Sequence, residues 1–112
     1  MKSEQLDLVF AALADPTRRA LLTKLSESDA TVTELAEPFA MSQPAISKHL
    51  KVLESAGLIS RRSVATSRYS HLEAAPLKEA TAYMEKYKRF WSTRFDTLEA
   101  ALAAYREEKT DD

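Results

Sequence analysis

The sequence predicts a mainly α chain carrying one small β-hairpin, and three observations lead there. The composition favours helix: of 112 residues 45% are hydrophobic and one is glycine, and alanine, leucine, glutamate and lysine dominate. Residues 42–59, SQPAISKHLKVLESAGLI, hold the start and stop signals of one helix. Residues 59–72 alternate in the manner of two short strands.

Taken in order, Leu6, Val9, Phe10 and Leu13 recur at helical spacing and predict a first helix over residues 4–14. Asp15-Pro16 then breaks and restarts the chain: Asp15 caps, Pro16 is the first helical residue, and Leu21, Leu22 and Leu25 carry the stripe to about residue 26. Arg18 and Arg19 lie in that helix's first turn, placed to reach a phosphate or to play a structural part; the structural part is favoured. Thr31-Val32-Thr33 is suited to a short extended piece. Thr33 is expected to cap a short helix from Glu34 to about Phe39, with Pro38 weakening its last turn.

Ser42 is expected to cap the next helix, Pro44 sits in its first turn and Gly57 ends it. Ile46, Leu50 and Leu53 make its apolar stripe. Pro44, Ser47, Lys48, Lys51 and Ser55 fall on the opposite side, with Gln43 and His49 on the flanks. Two short helices joined by a tight turn over residues 33–57, the second with a polar, basic outer face, make a helix-turn-helix. Such a face suits a DNA major groove; a merely solvated surface helix is the plain alternative for this segment taken alone.

The hairpin at 59–72 turns around residues 64–67. No Gly, Asn or Asp stands there, so a longer, looser tip is expected rather than a two-residue turn. Arg61, Arg62 and Arg68 ride on it, as a wing beside the recognition helix would carry them. From Pro76 a single helix is expected to about residue 108, roughly 50 Å long at the usual rise. Met84, Tyr87, Trp91, Phe95, Leu98 and Leu102 lie at alternating spacings of three and four with one slip, a coiled-coil-like seam. One chain has too little other apolar surface to cover that row. A homodimer is therefore expected, with Leu6 and Phe10 of the first helix joining the interface.

Charge agrees with this layout. The chain's net charge is −1, yet residues 42–72 hold five basic groups against a single acid. Phosphate neutralisation needs that local excess, whatever the total. The absence of cysteine excludes disulfides and thiolate sites. Acids stand where a signal peptide would be apolar, so a cytoplasmic protein with no membrane segment is expected. Nothing resembles a phosphate loop, a nucleophile elbow or a paired catalytic constellation, so no enzyme, cofactor or metal is expected.

With these residues laid out, the chain resembles the ArsR family of bacterial winged-helix repressors. The resemblance rests on LADPTRRALLTKL, on TVTELAEPFAMSQPAISKHLKVLESAGLI and on the arginine-rich RYSHL hairpin, and its tail looks like a cysteine-free subgroup. It implies one winged helix-turn-helix domain over residues 1–112, dimerising through the N-terminal and long C-terminal helices. It implies a homodimer on a near-palindromic double-stranded DNA operator, released by an unidentified small-molecule or protein effector. Contacts to bases or phosphates are implied from Ser42, Gln43, Ser47, Lys48 and His49, and wing contacts from Arg62 and Arg68. Pro44 and Lys51 complete the DNA face. Gln43 can pair with an adenine edge, Lys48 and Lys51 suit phosphate, and His49 stays open between base contact and packing. Metal sensing by the family's usual cysteine or histidine sites is not expected, because the relevant helices carry neither. The runner-up reading is a winged helix that docks a protein partner.

Overall fold

The computed structural model describes residues 2–110, the side chains of residues 91–95 and 108–110 excepted. Helices α1 (Ser3–Leu13) and α2 (Pro16–Glu27) are followed by strand β1 (Ala30–Thr31), helix α3 (Val32–Ala36) and helix α4 (Gln43–Ser55). Strands β2 (Ile59–Val64) and β3 (Ser67–Leu72) lead into helices α5 (Ala75–Glu85) and α6 (Lys88–Thr110). The chain forms two compact units, Met1–Ala80 and Thr81–Asp112. Among the described residues no helix is long and apolar enough to cross a membrane.

The local signals account for most element ends. Asp15 caps α2 by accepting from the Arg18 backbone N–H at 3.1 Å, with Pro16 opening the helix. Ser42 caps α4 by accepting from the Ala45 N–H at 3.3 Å. At the far end Gly57 adopts φ +77°, its N–H reaching the Glu54 carbonyl at 2.9 Å while the Leu58 N–H reaches Leu53 at 3.0 Å. That pair of bonds is a Schellman stop, and it turns Leu58 into the core, where it is fully buried. A Cβ at residue 57 would stand 3.2 Å from Gln5 Nε2.

Three expectations need correction. The short helix begins earlier, because Thr31 and not Thr33 caps it: Thr31 Oγ1 accepts from the Glu34 N–H at 3.2 Å and Glu34 Oε1 accepts from the Thr31 N–H at 3.1 Å. This reciprocal box satisfies two otherwise unpaired donors at once. The helix ends at Ala36, since Pro38 has no N–H to continue it and the Phe39 N–H closes on Ala36 instead.

The second correction concerns the hairpin tip. The register pairs Ile59 with Leu72 and Val64 with Ser67, so the turn is the two residues Ala65 and Thr66. Ala65 takes φ +55°, a left-handed conformation that a Cβ disfavours by roughly 1–2 kcal/mol. The two left-handed positions give opposite predictions. Ala65→Gly should raise stability by about 0.5–1 kcal/mol, and Gly57→Ala should lower it by more than that. Urea denaturation of the two variants beside the parent reads both signs.

The third correction is the tail, which is two helices rather than one over 76–108. The break lies at Lys86 and Tyr87, where the Tyr87 N–H bonds Met84 and the Phe90 N–H bonds Tyr87, each at 3.0 Å and three residues back. Tyr83, Tyr87 and Phe90 have only middling helix propensity. The bend also brings the Tyr83 and Tyr87 rings edge to face at 6.0 Å and Lys86 Nζ 5.0 Å from the Tyr83 ring centre.

The sheet has the order β1-β3-β2, antiparallel throughout, with Ala30 opposite Ser70 and Thr31 opposite Tyr69. The core gathers Val9, Leu21, Leu35, Ile46, Leu50, Leu53 and Leu58, all fully buried, and Ala80 closes it from α5. Leu6 and Phe10, expected at a subunit interface, are half-buried and pack against this core, while Leu8 is the exposed leucine of α1.

Candidate nucleic-acid interface

Helix α4 is held by its inner stripe: Ile46, Leu50 and Leu53 are fully buried. The opposite side is therefore fixed in direction. It exposes Ser42, Gln43, Pro44, Lys48 and Lys51, while Ser47 and His49 are half-buried on its margins. The acid of this helix, Glu54, lies near its C-terminal end, away from the N-terminal turns that carry Gln43, Ser47 and Lys48.

Several of these side chains are tethered in ways the sequence did not disclose. Gln43 Nε2 donates to Thr33 Oγ1 at 3.2 Å, bridging α3 and α4 across the turn. Its second N–H and its carbonyl oxygen remain for an adenine edge. His49 Nδ1 lies 3.3 Å from Arg18 NH1. Arg18 also donates from Nε to the Ala12 carbonyl at 2.7 Å and from NH2 to the Ala11 carbonyl at 3.0 Å, which places it in the structural role. Arg19 does likewise through the Leu13 carbonyl at 2.8 Å. The Asp15 carboxyl is held below its ordinary pKa, above all by the Arg18 backbone N–H, with the Arg18 charge adding to it.

Strands β2 and β3 carry the wing arginines, but not together. Arg62 faces the same side of the hairpin as its partner Tyr69, whereas Arg68 shares the other side with Ser63. Both are exposed. Arg61, on the side that carries Ile59 and Ser70, has Nε and NH2 buried without a hydrogen-bond partner, so it adds less to the surface charge than its place in the basic stretch suggests. Val52, one turn beyond Lys48, is 41% exposed on the outer face. An apolar side chain there suits a thymine methyl. Val52 stands four residues after Lys48, a spacing on one helical face that the sequence alone displays. Thr33 carried no such signal.

Among the dimer candidates, Met84, Tyr87, Leu98 and Leu102 are exposed, together with Phe90 and Tyr105. The side chains of Trp91 and Phe95 lie outside the described residues. Among the described residues no group of three His, Asp or Glu side chains is placed to hold a metal ion.

Two short helices about a turn, a recognition helix with an outward polar face, and a three-stranded sheet ending in a basic hairpin together define a winged helix-turn-helix protein of the DNA-binding kind. Residues 15–61 match the family model described as bacterial regulatory protein, arsR family. The HTH-type transcriptional regulator Rv2034 of Mycobacterium tuberculosis is 40% identical over 86 residues, covering 77% of this chain and 78% of that protein. The transcriptional repressor SdpR of Bacillus subtilis is 38% identical over 76 residues, covering 68% of this chain and 84% of that one. Among solved structures, the ArsR family transcriptional regulator RHA00566 superposes with a TM-score of 0.74 at 40% identity, over 82% of this chain and 95% of that one. The homodimeric winged helix-turn-helix DNA-binding domain Mb0332 of Mycobacterium bovis gives 0.61 at 25% identity, over 76% and 84%. The chain belongs to the ArsR family of bacterial regulatory proteins, and it is a transcriptional regulator.

Proposed function

We propose that the protein is a homodimeric repressor of the cytoplasm that binds a near-palindromic operator, often its own, and leaves it when an effector binds. The observation that carries this reading is the outer face of α4, where Gln43, Lys48 and Lys51 stand exposed on a helix locked from behind by buried leucines. Two such helices, one from each subunit, would enter successive major grooves about 34 Å apart. Gln43 and Ser47 read base edges; Ser42, Lys48 and Lys51 take phosphates; and Arg62 and Arg68, on opposite sides of the wing, straddle the backbone beside the groove. Pro44 lets the first turn approach closely without an N–H to satisfy. The subunits join through Met84, Tyr87, Trp91, Phe95, Leu98 and Leu102, with Leu6 and Phe10 beside them. A cysteine-free chain cannot use a thiolate sensor, and its two histidines belong to α4 and β3, so the effector is not a metal held by the family's usual sites.

The test is fluorescence anisotropy on the duplex upstream of the protein's own gene against a scrambled duplex, over a range of salt. Lys48→Ala and Arg68→Ala should each weaken binding to both duplexes and flatten the salt dependence by about one unit of slope per lost phosphate contact, so by about two for the dimer. Gln43→Ala should instead narrow the gap between the duplexes and leave the slope alone. Binding that none of these changes alters would put the interface elsewhere.

A further inference from the structure

We propose that Arg18 is a positioning residue for DNA recognition: it fixes His49 as a neutral imidazole whose proton is on Nε2, making His49 a dedicated hydrogen-bond donor on the flank of the recognition helix. The inference rests on the DNA-binding reading above.

The chemistry follows from one asymmetry. A guanidinium has donors and no acceptor. Arg18 NH1 lies 3.3 Å from His49 Nδ1, so that nitrogen presents its lone pair and the ring proton is on Nε2. The guanidinium is not free to move away. Its Nε and NH2 are spent on the Ala12 and Ala11 carbonyls at the end of α1, its own backbone N–H is bound by Asp15, and its side chain is only 17% exposed. The Asp15 carboxylate, 4.0 Å from NH1, is the other charged group facing this cluster. Arg18 thereby binds the Ala12 carbonyl at the end of α1, shares the Ala11 carbonyl with the Ala14 N–H, and uses its remaining arm to orient a side chain on α4, 31 residues away. Among the described residues His49 Nε2 has no partner, and His49 follows Lys48 on the half-exposed margin of the outer face.

A donor fixed at Nε2 can meet a phosphate oxygen or a base-edge acceptor (N7 or O6 of guanine, N7 of adenine, O4 of thymine), and cannot accept from the amino groups of adenine or cytosine. Since the ring is neutral, its contact releases no counterion. Its loss should therefore weaken binding without changing the salt slope, which separates it from Lys48.

The remaining histidine is a built-in reference. His71 Nδ1 lies 2.7 Å from Asp29 Oδ1, a partner that can only accept, so there Nδ1 must carry the proton. In ¹⁵N imidazole spectra of the wild-type protein, the two rings should show opposite states at Nδ1, assigned with His71→Gln. Arg18→Gln should release His49 into a mixture of tautomers. A His49 ring carrying a proton on Nδ1 in the wild-type protein would overturn the proposal, and this readout needs no DNA.

For binding, the probe is a duplex selected by the wild-type protein from a randomised pool. His49→Ala should weaken it about fivefold to tenfold at unchanged salt slope, as the loss of one modest hydrogen bond from each subunit does. Arg18→Gln should weaken it by a similar factor although Arg18 touches no DNA, and the double variant should be no worse than His49→Ala alone. Replacing each purine in turn by its 7-deaza analogue, and each phosphate by a methylphosphonate, tells a purine N7 contact from a phosphate contact by which substitution mimics the loss. Wild-type binding that neither His49→Ala nor Arg18→Gln changes would overturn this inference while leaving the repressor reading intact. Failure of the wild-type protein to select any duplex would defeat the repressor reading, and the donor role for His49 with it.

Discussion

Replacing Leu50 with alanine is expected to cost about 3 kcal/mol of folding stability, a large share of what a domain of this size holds in total. Leu50 is fully buried at the centre of the stripe that Ile46 and Leu53 complete, and Leu21, Leu35 and Val9 are buried in the same core. The helices and sheet of the first unit are all committed to this one core. They cannot close on the space a missing isobutyl group leaves, so the cavity cost adds to the lost transfer energy. For a unit of this size the fall in melting temperature should be on the order of 15 °C. Lys51→Ala, next along the same helix but exposed, should change stability by less than about 0.5 kcal/mol while reducing DNA affinity. Urea denaturation and anisotropy on the same two variants separate the faces of α4: one change moves stability, the other binding. A loss below about 1 kcal/mol for Leu50→Ala would mean that the inner face has been misassigned.

That separation was legible in the sequence, because the signals that set it are local. Ser42, Pro44 and Gly57 mark the ends of α4 by their own chemistry, and apolar spacing fixes which side turns inward. The features missed depend on partners distant in the chain or on a competition between neighbours. Thr31 and Thr33 both offer a hydroxyl, but Glu34 stands three residues after Thr31, and only that spacing closes a reciprocal box. At the wing, turn composition argued for a long loop. Pairing along the whole length of β2 and β3 outweighed it and forced Ala65 into a left-handed conformation.

That difference in turn length decides which sides of the hairpin carry Arg62 and Arg68. Side chains alternate between sheet faces, so one more residue in the turn would have put Arg62 and Arg68 on the same side. The two-residue turn separates them. The Arg18–His49 contact spans 31 residues, and no periodicity reports it. DPTRR reads in the sequence as a cap followed by charge, and only the fold shows where the first arginine goes.

The other large effect concerns assembly. Aspartate at both Leu98 and Leu102 is expected to convert the proposed dimer to a monomer and to lower operator affinity by about two orders of magnitude or more. The two leucines lie four apart on α6, on one face of the helix, 53% and 45% exposed in the single chain. Tyr105 follows three residues on at 55%. Apolar side chains repeated on one helical face at that exposure form a patch that a second subunit would remove from water. Two carboxylates in its middle would have to be buried unpaired, at several kcal/mol, or leave the interface open. The DNA-reading helix is untouched by the change, and neither leucine belongs to the core that holds it. Any loss of affinity must then come from binding one half-site in place of two. Sedimentation equilibrium should show the monomer mass, and anisotropy should show the salt slope falling to about half, since half the phosphate contacts are gone. A variant that stays dimeric would move the interface off this face of α6. A monomer that still held the full operator as tightly as the parent would mean that the two half-sites never act together, and the spacing of recognition helices could then play no part in how an effector releases the DNA.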